Sequence, residues 1–417
     1  MIETTRRKFC ALATIALGAA NSSTRAYAQS RPVRVGLLSI KTGAVAALGK
    51  QVEDGFQMFM MERGSRLAGR NVELTVLDTA ASPSLTRTKL HELVDKIEVD
   101  VVMGPVATFE ALAIAGDMST NRIPWILYAG ADDLTQRKPS DQIVRVTSSA
   151  SQTLHPFGQY AAKRLGYKRV ALLGDDFAQT YESFGGFMRT FEEAGGKVVQ
   201  RIYSPFNTSD YGSVLAQLKR NVDAILVNFA GANSIRFFKQ FEEYGLKGKI
   251  PVMASFNTLD ESVLQQIGAS AEGAISSNWY SAALDTPENK SFVERFRKQA
   301  GIEPSFFSVG SYCGGLVLEQ ALQTVGGDAK DREKLARALR SAKIDKSPRG
   351  PMRFDNYGNP VAPNYIRRVT KNAEGRYENS VIDTIADVSQ FWTYDPAAYI
   401  AAPIYSRDYP VARYLET

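Results

Sequence analysis

From residue 33 onward short apolar strands alternate with amphipathic helices, and near residue 169 the alternation begins again. In the first run strands are predicted at 33–39, 72–78, 101–104 and 125–128, with helices at 51–62, 85–97 and 109–120. The helix at 51–62 carries Val52, Phe56, Phe59 and Met60 at helical spacing, whereas 72–78 is apolar at every second position. In the second run strands at 169–174, 197–203, 224–227 and 252–254 enclose helices at 181–194, 214–220 and 234–244. Strand-helix-strand connections this short make the strands parallel, with helices on both faces of the sheet. Two such units in series predict an α/β protein of two lobes, in keeping with 417 residues at roughly 150 per domain. Residues 291–339 are mainly helical in pattern and 352–385 mainly strand. The C-terminal stretch is rich in aromatic residues (Trp392, Tyr394, Tyr399, Tyr405, Tyr409, Tyr414) and is expected either to pack over one lobe or to act as a partner-binding arm.

Residues 1–28 have the character of an export segment. Arg6, Arg7 and Phe9 stand as in a twin-arginine signal, an apolar run from Ala11 to Ala20 follows, and Ala26-Tyr27-Ala28 is a small-x-small cleavage site. This segment holds four basic residues (Arg6, Arg7, Lys8, Arg25) and one acid (Glu3), so the formal charge of +6 falls to 46 Lys+Arg against 43 Asp+Glu without it. A surplus that small does not suit a nucleic-acid binder. Hydrophobic residues at 44% and charged residues at 23% describe an ordinary globular chain. No later stretch reaches the roughly 18 apolar residues that span a bilayer, so no membrane-crossing segment is expected after signal removal. Cys10 leaves with the signal and Cys313 remains alone, so the mature chain has no internal disulfide and Cys313 is expected to be a small buried residue.

Enzyme chemistry finds few footholds. His91 and His155 are the two histidines, and neither has a cysteine or another histidine at metal-ligand spacing. No G-x-S-x-G elbow and no G-x-G-x-x-G occurs. Gly43 to Gly49 comes near a phosphate-binding loop, but it has five intervening residues where four are needed, and Lys50 is followed by Gln51 rather than a hydroxyl residue. The acid pairs Asp132-Asp133 and Asp175-Asp176 have the chemistry of an acid and a base, yet carboxylates in strand-to-helix loops commonly serve as caps and turn formers. No catalytic residue, metal or cofactor is predicted.

Several segments in order then carry a resemblance. Residues 33–39 lead into Thr42-Gly43-Ala44-Val45-Ala46-Ala47-Leu48-Gly49, followed by Val101-Val102-Met103-Gly104-Pro105, by the segment 123–135, and by 169–176. This set resembles the periplasmic solute-binding proteins of the branched-chain amino acid type, which serve ABC importers, and the similarity runs from about 33 to about 370. The resemblance implies two doubly wound parallel-sheet lobes joined by three crossover strands, with the ligand in a cleft closed by a hinge. By position it implies lobe 1 from 29–147 plus 278–350, lobe 2 from 148–277 plus 351–385, and a tail from 386–417. It further implies a periplasmic location, an ABC transporter permease as partner, and a monomer.

The resemblance also assigns site positions. The ligand carboxylate is expected at Thr108 and Phe109 and at Gly130, Ala131 and Asp132, with Leu48 near the first loop and Tyr181 and Phe229-Ala230 from lobe 2. Asp132 stands where a hydroxyl is expected; it either accepts a bond from a ligand hydroxyl or amide, or turns away. Amino-acid binders place an acid at the position of Phe256, where it pairs with the ligand's ammonium. A phenylalanine cannot do so, and burying an unpaired ammonium costs several kcal/mol or more. With Phe109, Tyr128, Phe177, Tyr181 and Phe229 nearby, Phe256 suggests an aromatic lining for a carboxylate without an α-ammonium, such as an aromatic acid. Each ring is alternatively a core residue at a strand end. A ligand-sensing receptor component of the same fold, or an exported hydrolase using Asp132, Asp175 or Asp176, are the competing readings.

Overall fold

The computed structural model describes residues 31–416 apart from 44 and 207, so the export segment at 1–28 lies outside the described residues. The first sheet takes β1 (Val33–Ser39), β2 (Arg66–Leu67), β3 (Arg70–Asp78), β4 (Val101–Met103), β5 (Trp125–Leu127) and β6 (Ile143–Arg145), in the order β2-β3-β1-β4-β5-β6. All neighbours are parallel except β2 with β3. β4 and β5 are short apolar runs, Val-Val-Met and Trp-Ile-Leu, because a parallel strand covered on both faces has no solvent side to make polar. The helices α1 (Ala46–Glu62), α2 (Pro83–His91) and α3 (Thr108–Thr120) connect them. The helix expected over 85–97 starts earlier, where Ser82 caps it and Pro83 opens it, and ends in a π-helical turn at Glu92–Lys96.

The second half runs α4 (Leu154–Lys163), β7 (Arg169–Asp175), α5 (Ala178–Glu193), β8 (Lys197–Ser204), α6 (Gly212–Gln217), β9 (Ala224–Asn228), α7 (Ala232–Glu243), β10 (Val252–Ala254), α8 (Glu261–Ile267) and β11 (Ile275–Asn278). Its strands form a parallel ladder β8-β7-β9-β10-β11. The chain then returns to the first half as α9 (Pro287–Ala300), α10 (Phe306–Thr324) and α11 (Arg332–Arg340). There Gln51 Nε2 donates to Glu303 O at 2.8 Å, and Phe59 meets Tyr312 edge-on at 5.6 Å. Finally β12 (Lys343–Ile344), β13 (Met352–Phe354), β14 (Pro360–Lys371) and β15 (Tyr377–Val388) extend the second sheet with antiparallel pairings beyond β11.

The chain therefore passes between the halves three times, and one side chain joins the passages. Arg349, 1% exposed, donates through Nη1 to Val146 O at 2.7 Å and Thr147 O at 2.9 Å. Its guanidinium carbon lies 4.0 Å from the centre of the Trp279 ring, and its own carbonyl accepts from the Tyr365 hydroxyl at 2.8 Å. Burial pushes the guanidinium down to about 10, which leaves it charged at neutral pH. Cys313 is buried, and its thiol is pushed up to about 11 by burial, as suits an inert core residue.

The C-terminal stretch, with α12 (Pro396–Ala401), reaches both halves rather than one. Gln390 Nε2 donates to Thr135 O at 2.8 Å, and Arg137 Nε donates to Ala402 O at 2.9 Å, tying it to the loop between β5 and β6. On the other side Arg189 stacks 3.5 Å over Tyr394, and His155 Nε2 shares a 3.1 Å hydrogen bond with the Tyr405 hydroxyl. The rings of Tyr394, Tyr399 and Tyr405 surround His155 at 5.8 to 5.9 Å. Tyr399 and Tyr405 thus build a buried cluster with Phe391, flanked by Tyr394 and Tyr409, so much of the terminal stretch has packing partners within this chain.

Two outcomes are expected. Arg349→Met leaves two buried carbonyl oxygens unpaired and should cost about 2–4 kcal/mol in denaturant melts, with Arg349→Lys intermediate because an ammonium cannot bond both oxygens while stacking on Trp279. His155 is held neutral, its imidazole pushed down to about 3 by burial and by Arg189. Between about pH 6.5 and 3 the unfolded chain binds a proton that the folded chain refuses, so stability present above 6.5 is lost as pH falls. Melts between pH 6 and 4 should show the parent losing up to about 1.4 kcal/mol per pH unit more than His155→Gln.

Candidate functional site

Between the halves lies a cavity of about 310 Å³, at the low end of the roughly 300–1,000 Å³ usual for small-molecule sites. Its first wall comes from the carboxyl ends of the first sheet's strands. Thr108 and Phe109 open α3 at this wall, and a thirteen-residue helix presents first-turn N–H groups that have no intrahelical acceptor. Glu110 fixes that turn by accepting Ala107 N at 3.1 Å. Gly130, Thr147 and Ser148 complete the wall. Thr147 Oγ1 is committed to Tyr128 O at 2.9 Å, whereas Ser148 Oγ is buried without a partner.

Aromatic rings form the middle of the cavity. Phe306 receives Phe256 at 5.6 Å and Trp279 at 5.7 Å, both edge-on, and Phe177 meets Phe206 edge-on at 5.5 Å. The Tyr128 hydroxyl is held by Ser311 Oγ at 3.1 Å, and burial raises its pKa, so the ring stays neutral.

The second wall is polar. Gln179 lines it but is held by Ser183 Oγ at 2.9 Å and by Asn228 Nδ2 at 3.2 Å. Asn257 and Asp260 come from the loop after β10, and Asp260 carries the one carboxyl among the described lining residues. Burial, with Glu261 adjacent, raises the Asp260 carboxyl above its usual range.

Of the residues expected from the sequence, Leu48, Thr108, Phe109 and Gly130 line the cavity from the first half. Tyr128, Phe177, Ala230 and Phe256 also line it. Four do not. Asp132 turns inward, where Oδ1 accepts Ser151 N at 3.1 Å and Arg145 lies nearby; Ala131 is packed in the core, its carbonyl accepting from Arg145. Tyr181 bonds Asp176 and packs edge-on against Tyr203 at 5.2 Å, away from the cleft. Phe229 stacks on Phe237 at 4.5 Å in the second core.

Sequence reasoning does not find Ser148, Trp279, Phe306, Phe307, Asn257 and Asp260. Trp279 follows β11 directly, at an expected crossover, so the order of elements carries a signal for its place beside the cleft. Asp175 accepts Ala230 N at 3.1 Å and Asp176 pairs with Arg407 at 3.1 Å, so neither these acids nor Asp132 lines the cavity as a hydrolase would need. Among the described residues no cluster of three or more His, Cys, Asp or Glu is arranged to hold a metal, and no helix is long and apolar enough to cross a membrane.

Comparison with known proteins agrees with this geometry. The model of the periplasmic binding protein family matches residues 32–374. A Leu/Ile/Val-binding protein homologue from Brucella melitensis is 31% identical over 361 residues, covering 84% of this chain and 91% of its own. A solute-binding protein of an ABC transporter from Rhodopseudomonas palustris BisB5, solved with 3,4-dihydroxybenzoic acid, is 32% identical with a TM-score of 0.82, over 86% of this chain and 98% of its own. Another from R. palustris, solved with benzoate, is 27% identical with a TM-score of 0.79, over 86% and 98%. By name, these relatives are binding proteins. With the matched model, the two parallel-sheet lobes and the cleft between them, the chain belongs to the periplasmic binding protein family, in the branch of the branched-chain amino acid transporters.

Proposed function

We propose that this protein is the periplasmic solute-binding component of an ABC importer and takes a small aromatic carboxylate without an α-ammonium. Lobe 1 then comprises 29–147 and 278–350, lobe 2 comprises 148–277 and 351–385, and closure about the three passages delivers the loaded cleft to a permease. The observation that carries the ligand class is Phe256, which stands within a ring-lined cavity where an amino-acid binder needs an acid. Flat apolar walls suit an aromatic ring, which gains from edge and face contacts as well as from area.

The carboxylate sits against the first wall in this reading. No lysine or arginine is among the described lining residues, so Thr108, Ser148 and the first-turn N–H groups of α3 hold it as neutral donors. A helix N-terminus carries partial positive charge, and such charge-assisted bonds are about twice as strong as neutral ones. Arg349 adds a buried positive charge directly behind Val146 and Thr147. The R. palustris relatives with benzoate and dihydroxybenzoate support the same class.

Thermal unfolding against a panel of acids tests this. An aromatic acid at about 100 times its Kd should stabilise by about 2.7 kcal/mol, and leucine or valine should give no shift. A shift with leucine alone returns the protein to the amino-acid binders. Thr108→Val and Ser148→Ala should each weaken the aromatic acid by roughly 10- to 100-fold in calorimetric titration, the measure of a lost bond to a charged group.

A further inference from the structure

The second wall of the cleft contains two polar groups that the fold leaves unused. Asp260, 2% exposed, caps α8: its Oδ1 accepts Ser262 N at 3.0 Å and also the Ser262 hydroxyl. Its Oδ2 is buried and has no partner. Asn257, half-buried in the same loop, lines the cavity with its amide unengaged by any side chain or backbone group of the described residues. Close by, Arg367 Nη1 donates to Glu261 Oε1 at 3.2 Å and to Tyr280 O at 2.8 Å, while its Nη2 is buried without a partner and makes no hydrogen bond to Asp260. Asn379 Nδ2 is likewise bound to Glu261 at 3.1 Å and to Leu259 O at 2.8 Å. A buried carboxylate oxygen left without a donor is unfavourable, and a donor from outside the fold relieves that cost.

The two walls therefore differ in kind. The first offers donors to an anion; the second offers an acceptor, Asp260 Oδ2, and beside it an amide that both donates and accepts. A ligand hydroxyl matches this pair, giving its proton to the carboxylate and accepting at its oxygen from Asn257 Nδ2. We propose that Asp260 and Asn257 read a ring hydroxyl, so that the site selects hydroxylated aromatic carboxylates over the bare ring. This rests on the aromatic-carboxylate reading of the cleft. The R. palustris relatives do not decide it for this chain: such proteins were solved with hydroxylated acids in three cases and with benzoate in another. A site built to bond a hydroxyl discriminates strongly against an analogue lacking it, since the protein groups are then buried unpaired.

Calorimetric titration with benzoate, 3- and 4-hydroxybenzoate, 3,4-dihydroxybenzoate and 4-methoxybenzoate tests the inference. At least one hydroxylated acid should bind about 10- to 100-fold tighter than benzoate and than the methoxy acid, which has no proton to give. In Asp260→Asn, where asparagine still caps α8, and in Asn257→Leu this ratio should fall towards one. Thr108→Val should weaken benzoate and the hydroxylated acids alike, leaving the ratio unchanged. Equal binding of benzoate and every hydroxylated acid overturns the inference while leaving the aromatic reading intact. So does a preference that survives both second-wall variants. If no acid of the panel binds, or only leucine or valine does, the aromatic reading fails and the inference fails with it.

Discussion

One buried guanidinium joins the three passages of the chain between the two sheets. Arg349 bonds the backbone of the first passage at Val146 and Thr147, stacks on Trp279 at the start of the second, and itself belongs to the third. The fold needs a cation there because the passages bring carbonyl oxygens and an aromatic face together away from water, and arginine alone combines a planar fork with a stacking surface. Thr147, Ser148 and Trp279 also line the cleft, so the group that joins the passages also stands behind the cavity wall. Arg145 has a similar role on the neighbouring strand β6. It donates to Ala129 O at 3.0 Å and to Thr135 Oγ1 and Asn359 Oδ1 at 2.7 Å, fixing the loop on which Gly130 reaches the cavity.

The division of labour across the cleft follows from topology. In open parallel sheets the carboxyl ends of the strands and the amino ends of the following helices converge on one edge. In the first half this convergence supplies donors, because α3 begins at the cavity wall. In the second half helices also begin at the cavity, but the one after β10 is capped there by Asp260, so a carboxyl joins its first turn at the lining. The rings between them come from both halves and from the crossing segments, which is why they close around a flat solute from several sides.

The alternation of apolar strands and helices is enough to read the two-lobed architecture, and β1 and β10 are legible to the residue. The strand β6 is not, because Ile143-Val144-Arg145 carries a buried arginine that breaks the apolar run, and pattern cannot show that its charge is satisfied by carbonyls. At the site, residues on the turns after strands are legible, as Thr108, Gly130 and Phe256 show. Those whose side chains leave the turn on its far side are not. Asp132 and Phe229 sit one or two positions from true lining residues, and a single residue of rotation sends a side chain to the core instead of the cleft. Phe306 and Phe307 escape notice for another reason: they open a helix remote in sequence, and only the packing of α10 against α1 brings them to the cavity.

The C-terminal stretch is held on one side by Arg137 and Thr135 and on the other by Arg189, His155 and Asp176. Any rotation of the halves must shear those contacts, although none of them touches the cleft. The apparent affinity of a protein with open and closed forms is its intrinsic affinity scaled by the fraction already in the competent form. On the proposed closure, substitutions in this strap would change the concentration at which the protein fills without changing which solute it prefers. Two proteins with identical cleft linings and different C-terminal stretches would scavenge the same compound in habitats of quite different richness.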